Sequence, residues 1–572
     1  MIKKVVRNRK STTNIANVAM KLEEDSTFSK SSFLIIDDFM GMRSMLTSVL
    51  RGCGASTGLI DTAGSAGEAL GMLSNKRYDV VLCDYNLGPG KNGGQVFEEA
   101  KLKNFIAPSC CWLMISAEKS LEGIMGMVEM KPDAYLIKPV TEATLSVRLK
   151  KIKLRKQAFE SIDKAILSNN YKKAIDLCTE RISVDKENAI ELFRLKCELL
   201  IKTEQYATAK VLLESLLKRR ELPWAQLMLA QIIKHEGDYV QATSLLENVV
   251  RKNRSFLSAY DELADVCCQL NEESKAESIL EKAISLSPKS MKRQQKMGEV
   301  AMNQRHYERA EKAFRESVTL GENSIFKTPT SYAGLARSLS AQGKMTEALN
   351  AVQPLPEIFP NNEEIPATTK ALEGLIYHQN NQGFRAEESA RELAKILNSA
   401  SAPINLPADT LKDAAILLLN SSEKELGIKL LQTEIMNNPE DKKTSEWVMN
   451  VFKNAGLSEQ GSMLVESSRQ RAIKMMDDSV LMMHSGNFAK AIDGMREALQ
   501  VMPKNARLLL NMAHVLITFM ELKGYKSALA RETRRYLMTA HQTQPREKRY
   551  EELAQRLDDL AHHSKGQKQK QK

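Results

Sequence analysis

Five alanines, Ala174, Ala209, Ala242, Ala276 and Ala310, return along the chain at spacings of 35, 33, 34 and 34 residues, four of them preceded at three positions by Tyr171, Tyr206, Tyr239 or Tyr307. A self-similar helical pattern of this length leaves few folds open. Each unit is one helical hairpin that cannot bury its own apolar face, so successive units stack into a solenoid. The small residues mark where paired helices approach closely, and the large apolar ones fill the space between them. With 572 residues the chain exceeds one ordinary core, and an aromatic share of only 5% suits a mostly helical protein.

The pattern does not reach the N-terminal quarter. There five short apolar runs, "SFLII", "TGLID", "YDVVLCD", "CWLMIS" and "DAYLIKP", alternate with segments of helical periodicity. Strands interleaved with helices of this length indicate a parallel sheet covered on both faces, with any ligand beyond the carboxyl ends of the strands. Those ends carry Asp37 and Asp38, then Asp84, then Ser116, then Lys138 followed by Pro139. Taken alone, adjacent aspartates most simply cap a helix, here one starting near Met40. Taken together, three carboxylates, a hydroxyl and an ammonium suit a hard cation such as Mg²⁺ beside a phosphoryl group.

In the order "LIIDD", "VVLCDYNLG", "LMISA" and "AYLIKP", these motifs resemble the receiver domain of two-component response regulators over about 120 residues. The resemblance implies that Asp84 is the phosphoacceptor. It further implies that Asp38 ligates Mg²⁺ directly, Asp37 through water, and Asn86 through its backbone carbonyl. Ser116 and Lys138 would bind the phosphoryl group, Tyr135 would be the aromatic switch, and Asn86 and Glu118 would tune hydrolysis. Pro139 is expected to follow a cis bond. The loop "NLGPGKNGG" is about one residue longer than the commonest family version. The fourth helix, "LEGIMGMVEM", contains Gly123 and Gly126 and is expected to be weak.

From Thr141 an apolar stripe through Leu145, Leu149, Ile152, Phe159, Ile162 and Ile166 meets no Gly or Pro before residue 170, so the last receiver helix is expected to run into the array. The array resembles tetratricopeptide repeats. Its clearest unit, "GNFAKAIDGMREALQVMPKN", sets Phe488, Ala491, Met495, Ala498 and Pro503 at the aromatic, small, large, small and helix-stopping positions of that family. About ten or eleven units are expected, with registry blurred between Ala348 and Gly427 and after Gly524. The expected fold is a CheY-like doubly wound α/β receiver with a five-stranded parallel sheet, followed by an all-α solenoid. Its divisions are a basic tail (1–30), the receiver (31–144), a linking helix (145–160), the repeats with a C-terminal capping helix (161–560) and a flexible basic tail (561–572).

The eight cysteines lack Cys-x-x-Cys spacing, the eight histidines are scattered, and no nucleotide loop or nucleophile elbow is present, so neither zinc nor an enzyme of those classes is expected. The net charge of +11 sits mostly in the two tails. With no long apolar run and no secretory signal, a cytoplasmic protein is expected. The leading expectation is a response regulator that takes a phosphoryl group from a sensor histidine kinase and controls binding of a protein or peptide by the repeats. A phosphate sink competing for a kinase is one alternative. A nucleic-acid regulator acting through the basic tails is another, of a different class. The sequence leaves homodimerisation open.

Overall fold

A computed structural model describes residues 28–107, 109–118, 120, 125–126, 129–399, 406–484, 488–544 and 549–570. Most of the expected N-terminal tail and much of the fourth receiver helix, Gly123 included, lie outside the described residues.

The receiver consists of β1 (Phe33–Ile36), α1 (Met40–Gly52), β2 (Ile60–Ala63), α2 (Ala66–Asn75), β3 (Val80–Asp84), α3 (Gly93–Leu102), β4 (Cys111–Ser116) and β5 (Ala134–Ile137). All strands are parallel, in the order β2-β1-β3-β4-β5. Every residue of β1, β3 and β4 is buried, as a sheet covered on both faces requires. The period of two divides these runs. Phe33, Ile35, Leu82, Leu113 and Ile115 join Leu46 and Leu50 of α1 on one face, while Leu34, Ile36, Val81, Cys83, Trp112 and Met114 join Leu73, Val96 and Phe97 on the other. Phe28, before the expected receiver boundary, is buried in the first of these cores, with its ring edge-on to Phe33.

Helix α4 (Glu142–Leu167) is one uninterrupted element of 26 residues. Leu145, Leu149 and Ile152 belong to the receiver core, whereas Phe159, Ile162 and Ala165 belong to the core of the first hairpin. The expected boundary at residue 144 therefore falls inside a helix whose first turns complete the receiver.

The chain divides into two compact units, 1–335 and 336–572. In the first, α4 pairs with α5 (Tyr171–Val184), and four further hairpins follow: α6 (Ala189–Lys202) with α7 (Tyr206–Leu217), α8 (Pro223–His235) with α9 (Tyr239–Lys252), α10 (Leu257–Gln269) with α11 (Glu273–Leu286), and α12 (Met291–Asn303) with α13 (Tyr307–Gly321). These are tetratricopeptide-type units. Ala174, Ala209, Ala242, Ala276 and Ala310 are all fully buried, and Tyr171, Tyr206, Tyr239 and Tyr307 each open the second helix of a pair. Two residues before those second helices the backbone is left-handed, at Asn169, Glu204, Gly237, Asn271 and Arg305. The turn thus recurs without a recurring glycine.

The division between units falls within α14 (Pro329–Ala341). In the second unit α15 (Met345–Val352) is short, because Pro354 stops it before the single turn α16 (Leu355–Ile358). That is the physical origin of the blurred registry. The pairs α17 (Ile365–Gln379) with α18 (Gly383–Ser399) and α19 (Ala408–Leu419) with α20 (Lys424–Asn437) follow. Helix α21 (Lys442–Asn454) meets the 27-residue α22 (Ser458–His484), which packs Leu464 and Val465 against one core and Ala472 and Met476 in the next. Then come α23 (Phe488–Val501), α24 (Ala506–Lys523), α25 (Ser527–Thr543) and α26 (Arg549–Lys570). Ala491 and Ala498 are buried, Phe488 is half-buried, and α23 ends two residues before Pro503. Helix α26 extends to Lys570 and so runs through the segment expected as a tail from residue 561.

Candidate functional site

The sheet order brings the carboxyl ends of β1 and β3 side by side, with Ile36 opposite Cys83. Asp37 and Asp38 therefore emerge beside Asp84. Their carboxylate oxygens all lie within 4.8 Å of one another, and among the described residues they are the one such group of three metal-ligating side chains. Asp37 and Asp84 are buried while Asp38 is exposed, so the cluster opens to solvent on the Asp38 side.

The capping reading of the paired aspartates does not hold. Helix α1 has Phe39 at its N-cap and no side-chain cap bond. Instead Asp37 Oδ1 accepts from the Phe39 backbone N–H at 2.9 Å, and Asp37 Oδ2 accepts from Lys138 Nζ at 3.0 Å. Arg43, one turn into α1, donates to the backbone oxygens of Asp37 at 2.7 Å and Asp38 at 3.2 Å. It holds the turn that presents both carboxylates. A single arginine on a helix carries no signature, and only the folded turn reveals its part.

Lys138 Nζ also donates to Asp84 Oδ2 at 2.9 Å. Burial raises the Asp84 carboxyl, and the contact with Lys138 opposes that rise. For Lys138 burial works against the charge, yet its bonds to Asp84 and Asp37 leave the ammonium above its usual value. One cation thus spans two carboxylates at the floor of the cluster, and the Lys138–Pro139 bond beside it is cis. The neighbouring Cys83 thiol is pushed well up, by burial first and by Asp84 and Asp37 next, which keeps it protonated and inert.

Ser116 is buried at the end of β4, its hydroxyl accepting from the Glu118 backbone N–H at 3.0 Å. Asn86 and Glu118 are exposed, and Tyr135 is half-buried on β5 against the core that contains Trp112. The long loop after Asp84 needs at least three of its glycines, Gly90 with a φ of +98° among them. Gly88 adopts a φ of +73°, and a side chain at Gly93 would meet the Asp84 carbonyl oxygen at 2.0 Å. Asn92 then caps α3 reciprocally with Gln95.

A doubly wound sheet with an acidic cluster, a hydroxyl and a lysine at its carboxyl edge has the layout of a response-regulator receiver. Residues 33–150 match the model of the response regulator receiver domain. The chemotaxis protein CheY-3 of Vibrio cholerae is 33% identical over 123 residues, which are 21% of this chain and 88% of that protein. The DNA-binding response regulator MtrA of Mycolicibacterium paratuberculosis is 29% identical over 189 residues, 32% of this chain and 78% of that one. Through these residues the chain belongs to the response-regulator receiver family. The crystal structure of the C-terminal part of a TPR repeat-containing protein from Cytophaga hutchinsonii is 17% identical and covers 42% of this chain and 96% of its own, with a TM-score of 0.35. Among the described residues no helix is long and apolar enough to cross a membrane.

Proposed function

We propose that Asp84 accepts a phosphoryl group from a sensor histidine kinase and that its modification controls protein binding by the helical array. The observation that carries this reading is the triad of carboxylates with Lys138 across Asp37 and Asp84. An all-oxygen donor set open on one side suits Mg²⁺, with Asp38 and Asp84 as direct ligands, Asp37 acting through water and the Asn86 carbonyl completing the protein's share. Bound there, the ion offsets the repulsion between an anionic nucleophile and an anionic donor.

In the transfer, an Asp84 carboxylate oxygen forms a bond to phosphorus as the bond from phosphorus to the kinase imidazole nitrogen breaks, and that nitrogen keeps the electron pair. Lys138 follows the charge onto a phosphoryl oxygen, and the Ser116 hydroxyl donates to another. Tyr135 turns with Ser116, which biases a two-state equilibrium of the receiver surface. Asn86 and Glu118, both exposed at the rim, govern water attack and hence the phosphoryl lifetime. The protein acts as a cytoplasmic signalling scaffold whose only chemistry is this self-catalysed transfer and the hydrolysis of the aspartyl phosphate to inorganic phosphate.

Labelling from a small phosphodonor with Mg²⁺ tests the reading. Incorporation is expected in the wild type and absent from Asp84→Ala, and label that persists in that variant at another residue refutes the assignment.

A further inference from the structure

Between Ser287 and Lys296 the array carries Lys289, Lys292, Arg293 and Lys296 and no acidic residue. This segment joins α11 to α12, and the receiver lies against it. Lys289 sits 6.0 Å from the centre of the Tyr85 ring, and Glu98 of α3, raised by burial, is opposed by the Lys292 charge. The contact is sharpest at Arg293, whose side chain is 1% exposed.

The Arg293 guanidinium grips Asp261 of α10 with two bonds, Nε at 2.7 Å and Nη2 at 2.8 Å. Its Nη1 donates to the Ser287 carbonyl at 3.2 Å, which fixes the arginine relative to that serine. A second carboxylate then arrives from the receiver. Glu129 Oε1 accepts from Arg293 Nη2 at 2.6 Å, and Glu129 Oε2 accepts from the Ser287 hydroxyl at 2.6 Å. Four residues before Glu129, Met125 packs against the apolar core of the second to fifth hairpins.

The two carboxylates have different standing. Asp261 belongs to the array and keeps the guanidinium oriented whether or not the receiver is present, so the two donors facing Glu129 form a site built in advance. Both oxygens of the incoming carboxylate are bonded, and an apolar surface waits at Met125, four positions earlier in the chain. We propose that Ser287 and Arg293, with the adjoining apolar wall, form a carboxylate-recognition site for a partner-protein segment bearing an apolar residue four positions before an acidic one, which the receiver occupies through Met125 and Glu129. The site stands independently of the phosphorylation reading, and only its emptying by phosphorylation rests on that reading.

The probe is a fluorescent synthetic peptide of residues 120–132, SLEGIMGMVEMKP, titrated by anisotropy into the full-length protein. The variant Met125→Ala/Glu129→Gln, with its internal occupant weakened, is expected to bind the peptide at least ~10-fold more tightly than the wild type, the scale of one charge-assisted hydrogen bond. The peptide carrying Glu129→Gln is expected to bind that variant about tenfold more weakly. Adding Ser287→Ala to the variant should weaken binding several-fold with the melting temperature unchanged. No binding by the opened variant, or equal binding of the Glu and Gln peptides, overturns the site. A separate arm adds Mg²⁺ and fluoroberyllate, a phosphoryl mimic, to the wild type. Tighter peptide binding there supports coupling to Asp84, while unchanged binding beside a binding-competent variant leaves the site in place and rejects only its emptying by phosphorylation.

Discussion

The receiver and the helical array encode themselves in opposite ways. In the receiver the informative residues are polar and sit at strand ends, where Asp37, Asp84 and Ser116 are buried at the expense of stability. The array's informative residues are small and apolar, at a fixed spacing, where Ala174 through Ala310 are buried because two helices need the room. A substitution in the first region should therefore remove chemistry and leave the fold, whereas one in the second should remove stability and leave the chemistry. Regions where a single residue does both would break the comparison.

The largest expected effect is Asp38→Ala, which should abolish Mg²⁺-dependent labelling of Asp84 while circular dichroism and melting stay close to wild type. Unchanged metal affinity, read by Mg²⁺ titration, would remove Asp38 from the ligand set. At the other pole stands Phe452→Ala in the second unit. The ring is fully buried, and its loss should cost about 3–5 kcal/mol of stability in that unit without altering the labelling rate. Calorimetry beside the labelling assay separates the two regions, and a matching loss of phosphate acceptance would show that they do not behave independently.

Gly93→Ala sharpens the comparison, because this residue serves both roles. The added methyl meets the Asp84 carbonyl at 2.0 Å and the Cys83 sulfur at 2.8 Å, so the Asp84 backbone must move. A loss of about 1–3 kcal/mol is expected together with slowed labelling, and either change without the other contradicts the geometry. The smallest effect is Asn92→Ala at the capping box of α3. About 1 kcal/mol should be lost, seen as a lower melting temperature of the receiver with labelling retained.

Sequence reading succeeded where local chemistry decides. The parallel strands of the receiver, the polar residues that end each of them and the run-on helix α4 all follow from patterns local to one segment, and the known family layout brings the strand ends together. It failed where distant segments meet. Arg43 reaches back under the aspartates from a helix position without a signature, and Phe28 joins a core from outside the expected boundary. The left-handed turns of the array use Asn, Glu and Arg as readily as Gly, so no residue type marked them. Least legible was the pairing of Glu129 with Arg293, separated by 164 residues, because nothing in either segment names the other. The Gly-rich loop after Asp84 was noticed for its length. Its surroundings supply a reason: the Gly90 carbonyl accepts from Asn323 at 3.4 Å, and the Leu320 carbonyl from Gln95 of α3 at 3.5 Å.

That loop is a second link between the two regions, since it begins at Asp84 and ends against the fifth hairpin. Hydrogen exchange of the full-length protein, with Mg²⁺ and with or without fluoroberyllate, measures the link directly. The account predicts altered amide protection in residues 85–102 of the receiver and, in the same sample, in residues 287–323 of the array, with neither change in Asp84→Ala. Protection changes confined to the receiver, with residues 287–323 unaltered, would contradict it.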